Sequence, residues 1–258
     1  MKTAIIGAGA IGSVAAAYLK KAGQDVTLIG RKNQIERIAK TGLKVRGVRG
    51  EETINVKVLP GLDRVYDLVI LTVKTQDIDD AVMANQKFLD NARILSSQNG
   101  VQADQYLKKY IQEQNLFSSI VMFGATYAQP GEVIFNFEGD WIIGKPFVPV
   151  DEATREIAAF LKKAFPVSVS DDIIGMKWLK LFVNFNNGIP ALTGKSMQET
   201  FADKDLCRLS IMLLKEGLGI IQKVDIKLVS LPTFPVERIM GLANMPMDQA
   251  AGIIHQTL

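Results

Sequence analysis

Three polar side chains stand at helical spacing in the segment 176–187, which is apolar nearly all round. Lys180, Asn184 and Asn187 stand at positions i, i+4 and i+7, so on a helix they share one face. The apolar remainder of the segment predicts that this helix is buried. A buried ammonium beside two amides can stabilise and protonate an alkoxide while the amides hold carboxylate or hydroxyl oxygens, as ketone reduction requires. The alternative is a narrow polar stripe that faces solvent.

A glycine-rich turn near the N-terminus predicts a nucleotide site. The first glycine of a GxGxxG pattern allows a tight turn, the second lets backbone amides approach a pyrophosphate, and the third lets the helix lie close to the sheet. Small residues also ease ordinary strand–helix packing, so the position between a strand and a helix is what favours a dinucleotide site. The residues that fit the pattern are Gly7, Ala8, Gly9, Ala10, Ile11 and Gly12.

The end of the second predicted strand indicates which dinucleotide binds. NAD-specific sites usually carry Asp or Glu there to hold the ribose 2′-hydroxyl, but this strand is followed by Arg31 and Lys32. A guanidinium suits a 2′-phosphate by its charge and its forked donors, so we predict NADPH as the cofactor. Lys74 and Asn99 follow two later strands and should reach the same edge of a parallel sheet. From position alone, Lys74 is equally well a surface lysine, and Asn99 is equally well part of a turn.

Short apolar runs alternate with amphipathic stretches up to about residue 170, which predicts an α/β fold with a mostly parallel sheet. The segments 43–48 and 53–59 are predicted to form a hairpin around Gly50, and the strands between 116 and 143 to lie near the sheet edge. From Asp171 onward strand signals vanish. We therefore expect a Rossmann-type NADP-binding domain over residues 1–170 and an all-α substrate and catalytic domain over residues 171–258. The predicted strands are 3–6, 25–29, 43–48, 53–59, 67–73, 92–96, 116–121, 132–137, 141–143 and 167–169.

Composition excludes several classes of protein. Lys and Arg total 30 against 27 Asp and Glu, and no basic run with interleaved aromatic residues occurs, so no nucleic-acid partner is expected. Cys207 is the only cysteine and His255 the only histidine, which excludes intramolecular disulfides and predicts no metal site; His255 is expected at the surface. No apolar run is long enough to span a bilayer, and the strand pattern begins at Lys2. We expect a cytoplasmic protein with no membrane partner.

Taken together, these segments resemble the ketopantoate reductase (2-dehydropantoate 2-reductase) family along most of the chain. The matching pieces are the glycine motif at 7–12, Arg31, Thr-Val-Lys at 72–74, Gln-Asn-Gly at 98–100 and Trp-Leu-Lys-Leu-Phe-Val-Asn at 178–184. The resemblance implies NADPH-dependent reduction of ketopantoate to pantoate, on the route to pantothenate and coenzyme A. It also implies that Lys180 is the general acid and that Asn184 binds substrate.

The same resemblance implies further contacts in the nucleotide-binding half. The residue matching Asn99 lies between cofactor and substrate in such enzymes, and the one matching Ala125 contacts the cofactor through its backbone. The residues to which the resemblance assigns cofactor contacts are Arg31, Lys74, Asn99 and Ala125.

Two departures from the family pattern affect the substrate end. Gly188 stands where the family usually has a second asparagine, so Asn187 or Asn186 is expected to substitute for it. The family also continues past the position of Leu258, through a serine that binds substrate and a glutamate that touches the site. We expect that the helical domain is truncated here, and that the chain as given binds NADPH but turns over poorly compared with a version carrying the tail.

Two other functions are compatible with the same residues. One is a related NADPH-dependent reductase of another 2-oxo or 3-hydroxy acid, and the other is a non-catalytic NADPH-binding sensor. A small-molecule 2-oxo acid is the expected substrate. The apolar helical segments 209–221 and 236–243 can bury themselves or a partner, so a homodimer is an alternative to a monomer.

Overall fold

Alternating strands and helices occupy the first part of the chain, and helices alone follow. The computed structural model describes residues 1–257; Leu258, the last residue of the predicted helical domain, lies outside the described residues. The strands are β1 Thr3–Ile6, β2 Val26–Ile29, β3 Leu43–Gly47, β4 Glu52–Ile54, β5 Lys57–Leu59, β6 Leu68–Leu71, β7 Arg93–Ser96, β8 Leu116–Val121, β9 Gly124–Gln129, β10 Glu132–Phe137, β11 Trp141–Gly144 and β12 Val167–Val169. The α-helices are α1 Ala10–Lys21, α2 Lys32–Thr41, α3 Ile78–Asn85, α4 Ala103–Leu107, α5 Glu152–Leu161, α6 Ile173–Phe185, α7 Gly188–Thr193, α8 Met197–Phe201, α9 Lys204–Lys223, α10 Val236–Asn244 and α11 Met247–Thr257.

Eight of the described strands form one sheet in the order β12-β11-β8-β7-β6-β1-β2-β5. Within this sheet, β8 and β11 are the one antiparallel pair among the described strands, and the others are parallel. The central strands β1, β2 and β6 are continuous apolar runs buried along their whole length. Helices cover both faces of such strands, which is why they lack polar alternation. The predicted α/β fold with a mostly parallel sheet is confirmed.

A second, four-stranded sheet in the order β4-β3-β10-β9 corrects three predictions. The hairpin around Gly50 forms between β3 and β4, but the predicted strand 53–59 is two strands, and β5 pairs with β2 in the large sheet. Residues 132–137 do not lie at the edge of the large sheet, because β10 pairs in parallel with β3. The strand β9, antiparallel to β10, was not predicted. Alternation of apolar and polar residues in a short strand does not indicate its partner, so long-range pairing decides which sheet such a strand joins.

Helix α1 joins the two sheets through a common core. It contacts β1 and β2 of the large sheet and β3, β9 and β10 of the small one. Its middle residues are small and fully buried alanines, which lets both sheets approach closely. A cluster of aromatic rings completes this core, and its members are Tyr18, Phe123, Phe135, Trp141 and Phe165. The core therefore fixes the start of α1, where the glycine motif lies.

Contacts divide the chain after Ile173 into two compact units. In the second unit α9 contacts α8, α10 and α11, and buried Cys207 packs with Phe201 and Ala251. The expectation of a surface His255 is wrong in part: the side chain is half-buried, and its Nδ1 lies 2.8 Å from the Phe201 carbonyl oxygen. Within residues 1–257 we find no helix with the length and apolar character needed to cross a membrane.

Candidate functional site

The glycine motif forms the turn between β1 and α1. Gly7 has a φ of +119°, a conformation that L side chains rarely adopt, and its carbonyl accepts a hydrogen bond of 2.9 Å from Thr72 Oγ1. A Cβ on Gly12 would lie 2.0 Å from the Gly7 oxygen and 2.4 Å from Thr72 Oγ1. Only glycine lets the first turn of α1 sit this close to the strand ends. Ala10 and Ile11 complete that turn.

Gly9 serves a different purpose in the same turn. A Cβ built on Gly9 would meet no atom within 4 Å, so this residue faces open space and not packed protein. It directly precedes α1, whose first turn carries no acidic side chain. The free N–H groups and positive end of the helix dipole there favour an anion. The turn thus offers backbone donors and room for a phosphate group.

This turn borders a groove of about 700 Å³ within the first unit. The groove runs along the carboxyl ends of β2, β1 and β6, because its lining includes the residues that directly follow each of these strands. Open α/β sheets bind ligands at this edge. Five of the predicted cofactor-binding residues line it: Gly7, Ala8, Gly9, Arg31 and Lys74.

Hydrogen bonds hold the segment after β2 against the glycine turn. The Gln34 side chain accepts a bond of 2.9 Å from the Arg31 backbone N–H and donates one of 2.9 Å to the Ala8 carbonyl. The Arg31 side chain is 83% exposed, and its Nη2 lies 4.0 Å from Oδ2 of Asp77. The Lys32 ammonium lies 3.9 Å from the Glu36 carboxylate on its own helix. Of the two neighbouring basic residues Arg31 and Lys32, Arg31 is therefore the one that lines the groove.

Gln98, the neighbour of Asn99, has a structural role that the sequence does not indicate. Its side chain is buried, and Nε2 donates to the carbonyls of Leu71 and Val73 at 2.9 and 3.0 Å. Its Oε1 accepts a bond of 2.9 Å from Ser96 Oγ. Gln98 therefore ties the ends of β6 and β7 together. The next residue, Asn99, is exposed at this edge.

Ala125 lies in a different part of the first unit. It is the second residue of β9 in the small sheet, where it pairs with Phe135 and packs against the aromatic core. Ala125 and Asn99 are not part of the groove lining among the described residues. Their assignment to the cofactor stays a prediction.

The polar stripe of the second unit lies on α6. Leu179 and Phe182 are buried, whereas Lys180 and Asn184 on the same helix are half-buried. Burial lowers the pKa of the Lys180 ammonium below its ordinary value of 10.5, because desolvation penalises the charged form. No charged neighbour contributes to this shift among the described residues. Lys180 is thus a more acidic ammonium than a lysine in water.

The predicted helix over 176–187 extends too far, since α6 ends at Phe185. The Asn187 N–H donates to the Asn184 carbonyl at 3.0 Å, forming a turn, and the Asn187 amide donates to Asn184 Oδ1 at 3.4 Å. Asn186 accepts a hydrogen bond from Ser210. The helix ends in this turn, and α7 begins directly after it at Gly188. Asn187 is consequently exposed beside Asn184 and is not part of a regular helical face.

Sequence comparison connects this arrangement to known proteins. The family model described as ketopantoate reductase PanE/ApbA matches residues 3–146. A 2-dehydropantoate 2-reductase of Pyrococcus horikoshii is 34% identical over 233 residues, covering 88% of this chain and 75% of that protein. A protein of the same name from Pyrococcus abyssi is 31% identical, covering 71% of this chain and 61% of its own length.

Comparison of structures shows the same fold in two solved proteins. A ketopantoate reductase of the PanE/ApbA family from Ralstonia eutropha superposes with a TM-score of 0.78 at 24% identity, covering 99% of this chain and 96% of that one. A D-mandelate dehydrogenase solved with NADH and anilino(oxo)acetate superposes with a TM-score of 0.84 at 21% identity. It covers 99% of this chain and 79% of the dehydrogenase chain.

Proposed function

Because the chain belongs to the ketopantoate reductase family, and is thus an oxidoreductase acting on CH–OH groups, we propose that it reduces ketopantoate to pantoate with NADPH. The observation that supports this most strongly is the pair of chemistries in one chain: a phosphate-binding turn with Arg31 beside it, and a desolvated ammonium on α6. We propose residues 1–170 as the part that binds the nucleotide. Residues 171–258 then supply the proton and the substrate contacts.

The residues of the groove fit a dinucleotide. The space above Gly9, which a Cβ would fill, gives a pyrophosphate access to the backbone amides of the turn. The proposal gives Gly7, Gly9 and the first turn of α1 to the pyrophosphate. Arg31 takes the 2′-phosphate, because its guanidinium is exposed in the groove and offers forked donors to a phosphate. Lys74 adds a second positive charge to the same groove. NADPH, when bound, supplies the hydride of the reaction.

Lys180 is the proposed general acid. Hydride addition to a ketone leaves an alkoxide, which a nearby ammonium stabilises by charge and then protonates. Proton transfer is most effective when the pKa of the donor lies near the working pH, and burial moves the pKa of Lys180 in that direction.

The amides around Lys180 are the proposed substrate contacts. Asn184 lies one helical turn further along α6, and Asn187 is hydrogen-bonded to it. An amide offers both N–H donors and a carbonyl acceptor, so it can hold a carboxylate and a hydroxyl of one small acid. We extend this role to Asn99, the exposed amide that follows β7.

Loss of NADPH absorbance on adding ketopantoate to the chain tests the proposal, with NADH in parallel. Ketopantoate-dependent oxidation that prefers NADPH is expected. If NADPH binds but ketopantoate is not reduced, the substrate assignment is wrong, and the same assay with other 2-oxo acids identifies the alternative reductase. If NADPH binds and no 2-oxo acid is reduced, the reductase proposal is not supported, and the sensor is the alternative that fits the result. If no nucleotide binds, the proposal as a whole fails.

A further inference from the structure

The cofactor groove contains a carboxylate that opposes its basic side chains. Asp77 lines the groove together with Arg31 and Lys74, and its Oδ2 lies 4.0 Å from Nη2 of Arg31. Arg31 directly follows β2, whereas Asp77 belongs to a short 3-10 turn, Thr75–Asp77, that comes after β6. Since β1 lies between β2 and β6, the ion pair passes from one side of the glycine turn to the other. The pair therefore spans the part of the groove that we assign to the adenosine end of the cofactor.

We propose that Asp77 is a specificity-determining residue that reduces the preference of this groove for NADPH over NADH. The inference rests on the proposed function, because it concerns which of two nucleotides the same groove selects. The 2′-phosphate of NADPH and the Asp77 carboxylate are both anions that seek the Arg31 guanidinium. A bound 2′-phosphate must displace or share that partner and is also repelled by the carboxylate.

NADH does not meet this competition. It carries a neutral 2′-hydroxyl in place of the phosphate, and a carboxylate accepts a hydrogen bond from such a hydroxyl in NAD-specific sites. The usual carboxylate at the end of β2 is replaced here by Arg31. Asp77 brings a carboxylate to the same groove from the β6 side. Arg31 and Asp77 thus favour different nucleotides, and the balance between them contributes to the ratio of the two affinities.

The Asp77 carboxylate can be neutralised with little effect on the fold. Its side chain is 39% exposed and makes no capping hydrogen bond at the start of α3. Asp77→Asn keeps the size and shape of the side chain and removes one negative charge. Asp90→Asn is a matched control, because Asp90 is an exposed carboxylate further along the chain that lies outside the groove lining. Both variants change the net charge by the same amount.

The test is titration of the unsubstituted chain, Asp77→Asn and Asp90→Asn with NADPH and with NADH at low salt. Because one unit charge next to a phosphate is removed, Asp77→Asn should tighten NADPH binding about fivefold, and that gain should shrink at about 0.5 M salt. NADH binding should not tighten, and Asp90→Asn should leave the affinity ratio unchanged.

Three results would overturn the inference. An unchanged affinity ratio in Asp77→Asn, when the unsubstituted chain binds both nucleotides, would show that the carboxylate does not act on selectivity. An equal shift in Asp90→Asn would assign the effect to net charge alone. Failure of the unsubstituted chain to bind either nucleotide would remove the proposed function, and this inference with it.

Discussion

The glycine turn of the first unit and the polar stripe of the second are built in different ways. In the turn, position is set by backbone contacts so close that a single methyl group at Gly12 would overlap the Gly7 carbonyl. In the stripe, the chemistry depends on one side chain, Lys180, whose ammonium is partly removed from water. The function proposed for the turn depends on close backbone packing, whereas the function proposed for the stripe depends on the charge of one partly desolvated side chain.

This difference predicts how each region fails. A change of shape in the turn should affect folding and nucleotide binding together, because the same atoms pack α1 and form the proposed phosphate site. A change at Lys180 should affect the reaction and leave the fold intact. Substitutions in the two regions test whether this difference holds.

The largest effect on stability is expected for Gly12→Ala. Its Cβ would lie 2.0 Å from the Gly7 oxygen, so α1 must shift away from the strands that it packs against. Overpacking of this kind should lower the free energy of unfolding by about 3 kcal/mol, measured by urea denaturation. Nucleotide binding should be lost with it.

Gly9→Ala is the matched control for that substitution. The added methyl group meets no protein atom within 4 Å, so the free energy of unfolding should stay close to that of the unsubstituted chain. NADPH binding should still weaken, because the methyl group fills the space assigned to the pyrophosphate. If Gly9→Ala binds NADPH normally, the turn does not hold the phosphates.

A smaller effect is expected when Arg31 is replaced by alanine. The side chain is 83% exposed, so its interaction with a phosphate is partly screened by solvent. We expect the Kd for NADPH to rise about tenfold while the Kd for NADH stays nearly constant, measured by titration. An equal loss of both affinities would show that Arg31 contributes to the structure of the groove and not to the choice of nucleotide.

The smallest effect concerns the stability cost of Lys180. Burial lowers its pKa in the folded chain below 10.5, so between these two values the unfolded chain binds more protons and stability rises with pH. Lys180→Met should therefore be more stable than the unsubstituted chain near pH 7, because the substitution removes the partly desolvated charge. Urea denaturation at increasing pH should show this gap closing toward 10.5. A gap that is constant with pH would mean that packing, not charge, causes it.

The glycine turn could be predicted from the sequence because its requirements are local. Gly7 and Gly12 each contact a neighbour within a few residues or on an adjacent strand, whereas Gly9 leaves open space. A strand before these glycines and a helix after them suffice to indicate the site. The position of Arg31 could be predicted in the same way, because Arg31 lies just after β2, the next strand along the chain. The order of the strands in the large sheet follows the general preference for parallel β-α-β connections.

The small sheet could not be predicted in this way. The pairing of β3 with β10 joins segments far apart in the chain, and β9 is exposed at most positions, so it lacks an apolar signature. Gln98 shows the same limit at the scale of one side chain. The sequence shows that Gln98 follows a buried strand. Its hydrogen bonds to the carbonyls of Leu71 and Val73 could not be predicted, because these residues lie at and just after the end of the neighbouring strand β6.

The most direct test of the account is to measure the Kd for NADPH and the rate of ketopantoate reduction on the same preparations of the unsubstituted chain and Lys180→Ala. A general acid contributes about 10² to 10⁴ in rate, so we predict a loss of turnover in that range with the Kd for NADPH unchanged. Retained turnover in Lys180→Ala would contradict the assignment of Lys180 as proton donor. Lost NADPH binding in that variant would contradict the separation of the two regions.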